Sequence, residues 1–259
     1  MIGQIHDCVN GTRLIPDRYL RFITSLPEGE IYGPDRLLVP DLLLSSEEES
    51  GINVYYAPFG WCNTQAKLAI IGVTPGFTQM EIGLRVARRE LLSGADTPAA
   101  CRRAKYAASF AGTMRKNLIH MLDGISLPSL LGASSESLFG EASHLLHTTS
   151  AVCFPAFVHG RNYTGSRPRL VRSAFLMKFV REQLAPELAS LEHACFLPLG
   201  KAVEDALHVL EGEGLIPAGR TLYGFPHPSG ANGHRKRQFD GARDRLREAF
   251  RAALHADNN

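Results

Sequence analysis

The sequence predicts an α/β fold, a three-layer α/β/α sandwich around a central, mainly parallel four-stranded sheet. Three observations predict it. Four short apolar runs, at 67–73, 149–154, 193–199 and 221–225, have the length and unbroken apolarity of strands buried on both faces. Between them lie stretches with apolar residues at helical spacing, and alternation of strand with helix brings successive strands into a parallel sheet covered on both sides. The 259 residues, 44% of them hydrophobic, suffice for one large core, so the chain is read as a single domain over 1–259.

The elements follow in order. An N-terminal extension of about 60 residues carries a polar acidic stretch at 45–50, read as a flexible loop, and the only tryptophan, Trp61, lies just past it in an aromatic segment read as core packing. The strand at 67–73 comes next. Residues 77–108 read as an insertion containing Arg85, Arg88, Arg89, Glu90, Arg102, Arg103 and Lys105, which suits either a DNA-facing element or a solvated amphipathic helix. Helices are expected at 113–122, 170–184, 201–210 and 243–255, and a polar, flexible tail at 257–259. Each strand runs into a loop bearing proline: Pro75, Pro155, Pro198, and Pro226 with Pro228. Ligands of parallel sheets sit at the carboxyl ends of the strands, which makes these loops the place to seek chemistry.

Charge and cysteine usage narrow the function. The net charge of +2 does not by itself imply nucleic acid, but the basic residues cluster, at Arg85, Arg88 and Arg89, at Arg161, Arg167, Arg169 and Arg172, and at Arg235, Lys236 and Arg237. Five cysteines, Cys8, Cys62, Cys101, Cys153 and Cys195, lie far apart without a C-x-x-C pair, so neither a zinc knuckle nor a cysteine-ligated iron–sulfur cluster is expected. No signal peptide and no membrane-length apolar run is present, which predicts a cytoplasmic protein without a membrane partner. A P-loop and a G-x-S-x-G elbow are both missing.

Two loops hold residues suited to ligand chemistry. Gly72-Val73-Thr74-Pro75-Gly76 ends the most apolar strand, where small residues allow a tight turn and close backbone approach to a ligand; a plain turn fits the same residues. Phe225-Pro226-His227-Pro228-Ser229 brackets a histidine between prolines. Such a histidine suits hydrogen bonding to a ligand, and a solvated loop histidine fits too.

The ordered set of these segments resembles the uracil-DNA glycosylase superfamily. Gly72 to Gly76 matches its first motif, G-x-[D/N/E]-P-[Y/G], and His227-Pro228-Ser229 matches its last, H-P-S. Between them, the stretch from Phe110 to Leu118 resembles F-x-G-x-x-x-x-L-L, Thr149-Ser150-Ala151-Val152 resembles T-N-A-V, and Leu199-Gly200-Lys201-Ala202 resembles L-G-x-x-A. The resemblance spans about residues 67–237.

The resemblance implies a DNA glycosylase that extrudes a base and hydrolyses its N-glycosidic bond, leaving an abasic site. It implies base contacts from Gly72, Val73, Pro75, Gly76, Phe110, Ser150 and Ser229, with Phe110 stacking on the base. It implies catalytic roles for Thr74, at the water-positioning place, and for His227, as the donor to the departing base. DNA contacts fall to Arg85, Arg88, Arg89, Arg161, Asn232, His234, Arg235 and Lys236. DNA is the expected partner of a monomer that needs no cofactor and no metal.

Four departures from the family pattern qualify this. Thr74 stands where a carboxylate or amide is usual, and a hydroxyl orients water but is no general base near neutral pH. Glu81 or Glu90 would then be a substitute carboxylate. Ser150 stands where uracil readers carry asparagine, whose amide both donates and accepts. The insertion at 77–108 is the third, and the small or polar Ala231 and Asn232 in place of an apolar wedge the fourth. Together they imply a base other than plain uracil, with a bulky modified pyrimidine of phage DNA, and hence antiviral defence, as the refinement. The alternatives are a non-catalytic DNA-binding member and a housekeeping glycosylase for uracil or deaminated bases.

Overall fold

The computed structural model describes residues 8–9, 12–29, 31–230 and 232–256. Ala231 and the tail at 257–259 lie outside the described residues. In chain order the elements are β1 (Cys8–Val9), β2 (Thr12–Arg13), α1 (Asp17–Ser25), α2 (Pro34–Leu37), β3 (Leu43–Glu47), β4 (Ile52–Tyr55), β5 (Leu68–Gly72), α3 (Phe77–Leu92), α4 (Thr97–Ala108), α5 (Thr113–Gly124), α6 (Leu127–Leu131), β6 (Leu146–Ser150), β7 (Ala156–Val158), β8 (Arg161–Asn162), α7 (Ala174–Phe179), α8 (Ala185–Ala189), β9 (Cys195–Pro198), α9 (Lys201–Gly212) and α10 (Arg235–Ala256). Mixed helix and strand of this kind is an α/β protein. The chain divides into two compact units, one of residues 1–62, 74–111 and 152–168, the other of 63–73, 112–151 and 169–259.

The first unit gathers the N-terminal extension and the insertion. Its sheet is antiparallel with strand order β3-β4-β7-β8. The stretch at 45–50 is not a free loop: it ends β3 and turns into β4, with Glu47 opposite Ile52. Because β3 is an edge strand, charge and polarity there discourage pairing with another chain. The insertion is a helical hairpin, α3 and α4, joined by a short turn in which Asp96 Oδ1 accepts from Ala99 N–H at 2.8 Å and caps α4. Met80, Leu84 and Ala87 on α3 are wholly buried, as are Ala100, Cys101 and Ala104 on α4, so the hairpin is part of this unit's core.

The second unit holds the parallel sheet, in the order β6-β5-β9. All five residues of β5 are buried, and its register pairs Leu68 with Leu146 and with Cys195. The expected four-stranded parallel sheet is corrected to three strands, since the four-stranded sheet is the antiparallel one. In the fourth run, at 221–225, only Thr221 forms a bridge, parallel to Phe196. Gly224 then takes a φ of +96° and Pro226 follows without an N–H, which ends the pairing. The strand expected at 149–154 is shifted to β6. Leu146 to Ser150 look polar in sequence yet are buried, while 151–154 bend away before Pro155.

The helix expected at 170–184 is divided. A 3₁₀ turn at Leu170–Arg172 precedes Ser173, whose Oγ accepts from Leu176 N–H at 3.2 Å and starts α7, and a π turn at Val180–Leu184 leads into α8. Helix α10 begins at Arg235 rather than at 243, because Phe239, Ala242, Leu246 and Phe250 form one buried stripe at helical spacing. Among the described residues no helix is long and apolar enough to cross a membrane.

Candidate functional site

In the second unit, the carboxyl ends of the parallel strands supply the framework. Gly72, the last residue of β5, pairs with Ser150, the last of β6, and Gly72 O accepts from Ala151 N–H at 2.8 Å. Beyond β9, Leu199 N–H donates to Ile71 O at 2.9 Å and Gly200 N–H to Phe225 O at 2.9 Å. These bonds fix Gly200 beside the His227 loop. A Cβ on Gly200 would lie 3.0 Å from the Cβ of His227, and the φ of +85° is one that only glycine adopts readily, so Gly200 permits this approach.

The loop geometry assigns His227 a tautomer. Its Nδ1 accepts from Ser229 N–H at 3.3 Å, which assigns the neutral ring's proton to Nε2. Burial pushes the imidazole below its ordinary value, favouring that neutral form. His227 lines a cavity of about 310 Å³ with Gly200, Glu204, Phe225, Asn232 and Gln238. The Glu204 carboxylate faces inward to accept Gly224 N–H. A neutral imidazole whose Nε2–H has no partner among the described residues, on a loop stiffened by two prolines, can stabilise negative charge that develops on a bound ligand.

Side chains of the same unit hold this loop. Asn117 on α5 donates to Pro228 O at 2.9 Å. Arg235, at the start of α10, donates from one nitrogen to Pro228 O at 3.2 Å and to Ser229 O at 2.7 Å. Asn232 donates to His227 O at 3.2 Å and to Gln238 Oε1 at 2.9 Å, while its Oδ1 accepts from His234 N–H. Asn232, expected to contact DNA, thus has both polar atoms of its side chain engaged, and Arg235, also expected to, gives one guanidinium nitrogen to the loop. His234 and Lys236 are exposed.

The remaining expected residues belong to the first unit. Thr74 Oγ1 donates to Phe154 O at 2.8 Å and accepts from Ala156 N–H at 3.0 Å, so the hydroxyl's single proton is already used. Pro75 is buried, and Gly76 N–H donates to Gln79 Oε1 at 3.0 Å at the start of α3. Phe110 is buried and holds a φ of +50°, a left-handed conformation that costs a bulky residue on the order of 1–3 kcal/mol. Arg161 on β8 is exposed.

The arginines of α3 are bound within this unit. Arg85 pairs with Glu81 at 2.7 Å, Arg88 donates to Leu26 O, and Arg89 pairs with Glu90 at 2.8 Å. Glu90 also accepts from Arg103. The hydrogen bond from Arg89 leads the causes that hold the Glu90 carboxyl below its ordinary value. Glu81 and Glu90 are therefore buried partners of arginines. Among the described residues no three histidine, cysteine, aspartate or glutamate side chains gather as a metal site.

Among known proteins, the uncharacterized protein YoxB of Bacillus subtilis (strain 168) is 39% identical over 225 residues, a match that covers 85% of this chain and 88% of that one. The chain belongs to the YoxB family. No protein-family model matches it. In this YoxB-family chain, sequence reading singled out His227 but passed over Asn117, which lies inside the segment from Phe110 to Leu118 with nothing in its type or spacing to mark it. The engagement of Arg235 with the loop was equally hidden, because a basic run reads as a phosphate contact until its partners are seen.

Proposed function

We propose that this chain is a monofunctional DNA glycosylase of the uracil-DNA glycosylase type, in which His227 stabilises the departing base. The hydrogen bond from Ser229 N–H to His227 Nδ1 carries this reading, since it leaves a neutral Nε2–H as donor. As the N-glycosidic bond breaks, its electron pair leaves with the base, and positive charge develops on the sugar. The Nε2–H steadies the base anion without transferring its proton. Water adds to the sugar carbon and releases a proton to solvent, leaving an abasic site. In this reading residues 1–259 form one glycosylase-like domain of the superfamily's three-layer α/β/α type.

The proposed substrate is a modified pyrimidine rather than plain uracil, because the shorter Ser150 stands where uracil readers carry an asparagine amide. His234, Lys236 and Arg161, all exposed, are the proposed phosphate contacts, and the protein acts on DNA as a monomer. The test is incubation of the purified full chain with oligonucleotides carrying uracil, deaminated purines or bulky modified cytosines, followed by cleavage at abasic sites. Release from the modified-cytosine substrate, abolished by His227→Ala, is expected. No release from any of the three classes overturns the reading.

One observation favours a second reading. The Thr74 hydroxyl has no proton left to offer a water, which suits a DNA-binding member that has lost catalysis. Tight DNA binding by the wild type without base release, unchanged by His227→Ala, would identify it.

A further inference from the structure

The three successive carbonyls of the His227 loop are each held by a side chain. Asn232 holds that of His227, Asn117 and Arg235 hold that of Pro228, and Arg235 holds that of Ser229. The middle one matters most. Pro228 O and Ser229 N–H are opposite edges of one peptide plane, and in a trans peptide they point in opposite directions. Two donors on the oxygen edge therefore aim the N–H edge, and that N–H is the one given to His227 Nδ1. Rotation of this plane would withdraw the N–H and leave Nδ1 open to a proton.

We propose that Asn117 and Arg235 are positioning residues, which by clamping the Pro228–Ser229 peptide select the Nε2–H tautomer of His227. Neither touches the reacting atoms. The two come from different helices, α5 and α10, so the peptide is fixed from elements that do not depend on the loop's own stiffness. The burial that depresses the imidazole agrees with this, since a ring that gives up solvent needs a protein donor on Nδ1. The effect on the ring rests on the loop geometry alone, and the effect on rate rests on the glycosylase reading.

The test uses the full chain with Asn117→Leu, Arg235→Met, Arg235→Lys and the Asn117→Leu/Arg235→Met double variant. The ring nitrogens of His227, assigned by their loss in His227→Gln, are followed by ¹⁵N NMR across pH. The wild type should show one tautomer protonated at Nε2 and a titration below 6.5, the ordinary value. The double variant should show mixed tautomers and a titration moved up towards 6.5. Each single variant should move both in the same direction by less, which keeps the test decisive if the double variant does not fold. Arg235→Lys should fall between the wild type and Arg235→Met, because one ammonium can donate to both carbonyls as the single guanidinium nitrogen does.

On a substrate that the wild type cleaves, kcat should fall roughly ten- to a hundredfold in the double variant, part of what loss of an anion-stabilising donor costs, with KM within about twofold. A double variant, or both single variants, with the wild-type tautomer and titration overturns the proposal. So does an Arg235→Met variant whose only change is weaker, less salt-dependent DNA binding, which would make Arg235 a phosphate contact. If the wild type releases no base at all, the glycosylase reading fails while the ring measurement still decides the roles of Asn117 and Arg235.

Discussion

His147 Nε2 and Glu187 Oε1 lie 2.7 Å apart, with the imidazole wholly buried and the carboxylate nearly so. Asn63 N–H donates to His147 Nδ1 at 3.2 Å, so the ring's proton is on Nε2 and points at Glu187. The Asn63 side chain in turn donates to the carbonyls of His144 and Leu146, tying the start of β6 in place. Removing Glu187 takes from the buried His147 N–H its acceptor at 2.7 Å. Glu187→Leu should therefore lower stability by about 2–4 kcal/mol, and Glu187→Gln, which keeps an acceptor, by less than half of that. Urea unfolding measures this as a fall in midpoint at constant slope; a Glu187→Leu loss below about 0.5 kcal/mol would show that the pair contributes nothing.

Thr74 is expected to act through structure. Thr74→Val keeps the shape but strands Phe154 O and Ala156 N–H, costing about 1–3 kcal/mol, whereas Thr74→Ser retains both bonds and most of the stability. Thr74→Asp, which restores the superfamily's usual carboxylate, should not raise base release. Its charge accepts from Ala156 N–H but faces the Phe154 carbonyl with no proton to give, so the variant should be less stable than the wild type. A faster Thr74→Asp enzyme of unchanged melting temperature would contradict this.

These two cases also mark what was legible in the sequence. Strands β5 and β9 could be read because every residue is apolar or small, and the His227 loop because its prolines leave few conformations. Strand β6 was misplaced, since its polar residues are buried through partners such as Asn63 and Glu187 that lie about 40 to 80 positions away. The antiparallel sheet was not anticipated at all: β4 pairs with β7 across about a hundred residues, and short half-buried strands carry little periodicity. Of the site, residue types were readable but their engagements were not. Thr74, Asn232 and Arg235 each look available in sequence, yet Thr74 and Asn232 have their polar atoms bonded in the fold and Arg235 gives one nitrogen to two carbonyls.

The same distinction separates the basic residues. Arg85 and Arg89 hold buried carboxylates, so alanine at either should lower the melting temperature and leave the salt dependence of DNA binding unchanged. Lys236→Ala and Arg161→Ala should do the reverse, each reducing the slope of log affinity against log salt by about one without affecting stability. Binding isotherms at several salt concentrations decide it. An equal slope change for Arg89→Ala and Lys236→Ala would mean that α3 meets the DNA.

The pH dependence follows from His227. Its folded value is depressed by burial below 6.5, so above 6.5 the ring is neutral in both the folded and unfolded chain and contributes nothing to the change of stability with pH. As the pH falls through 6.5 the unfolded chain takes up the proton first, and the folded state loses stability until its own depressed value is passed. Activity should follow the folded ring. Protonation fills Nδ1, breaks the bond from Ser229 N–H and places a buried charge, so kcat/KM should be flat at neutral pH and fall by about tenfold per pH unit on the acid side. The midpoint of that fall should lie below 6.5 in the wild type. A profile with its midpoint at or above that value, or one that rises as the imidazole is protonated, would mean that the cation and not the neutral Nε2–H donor is the active form.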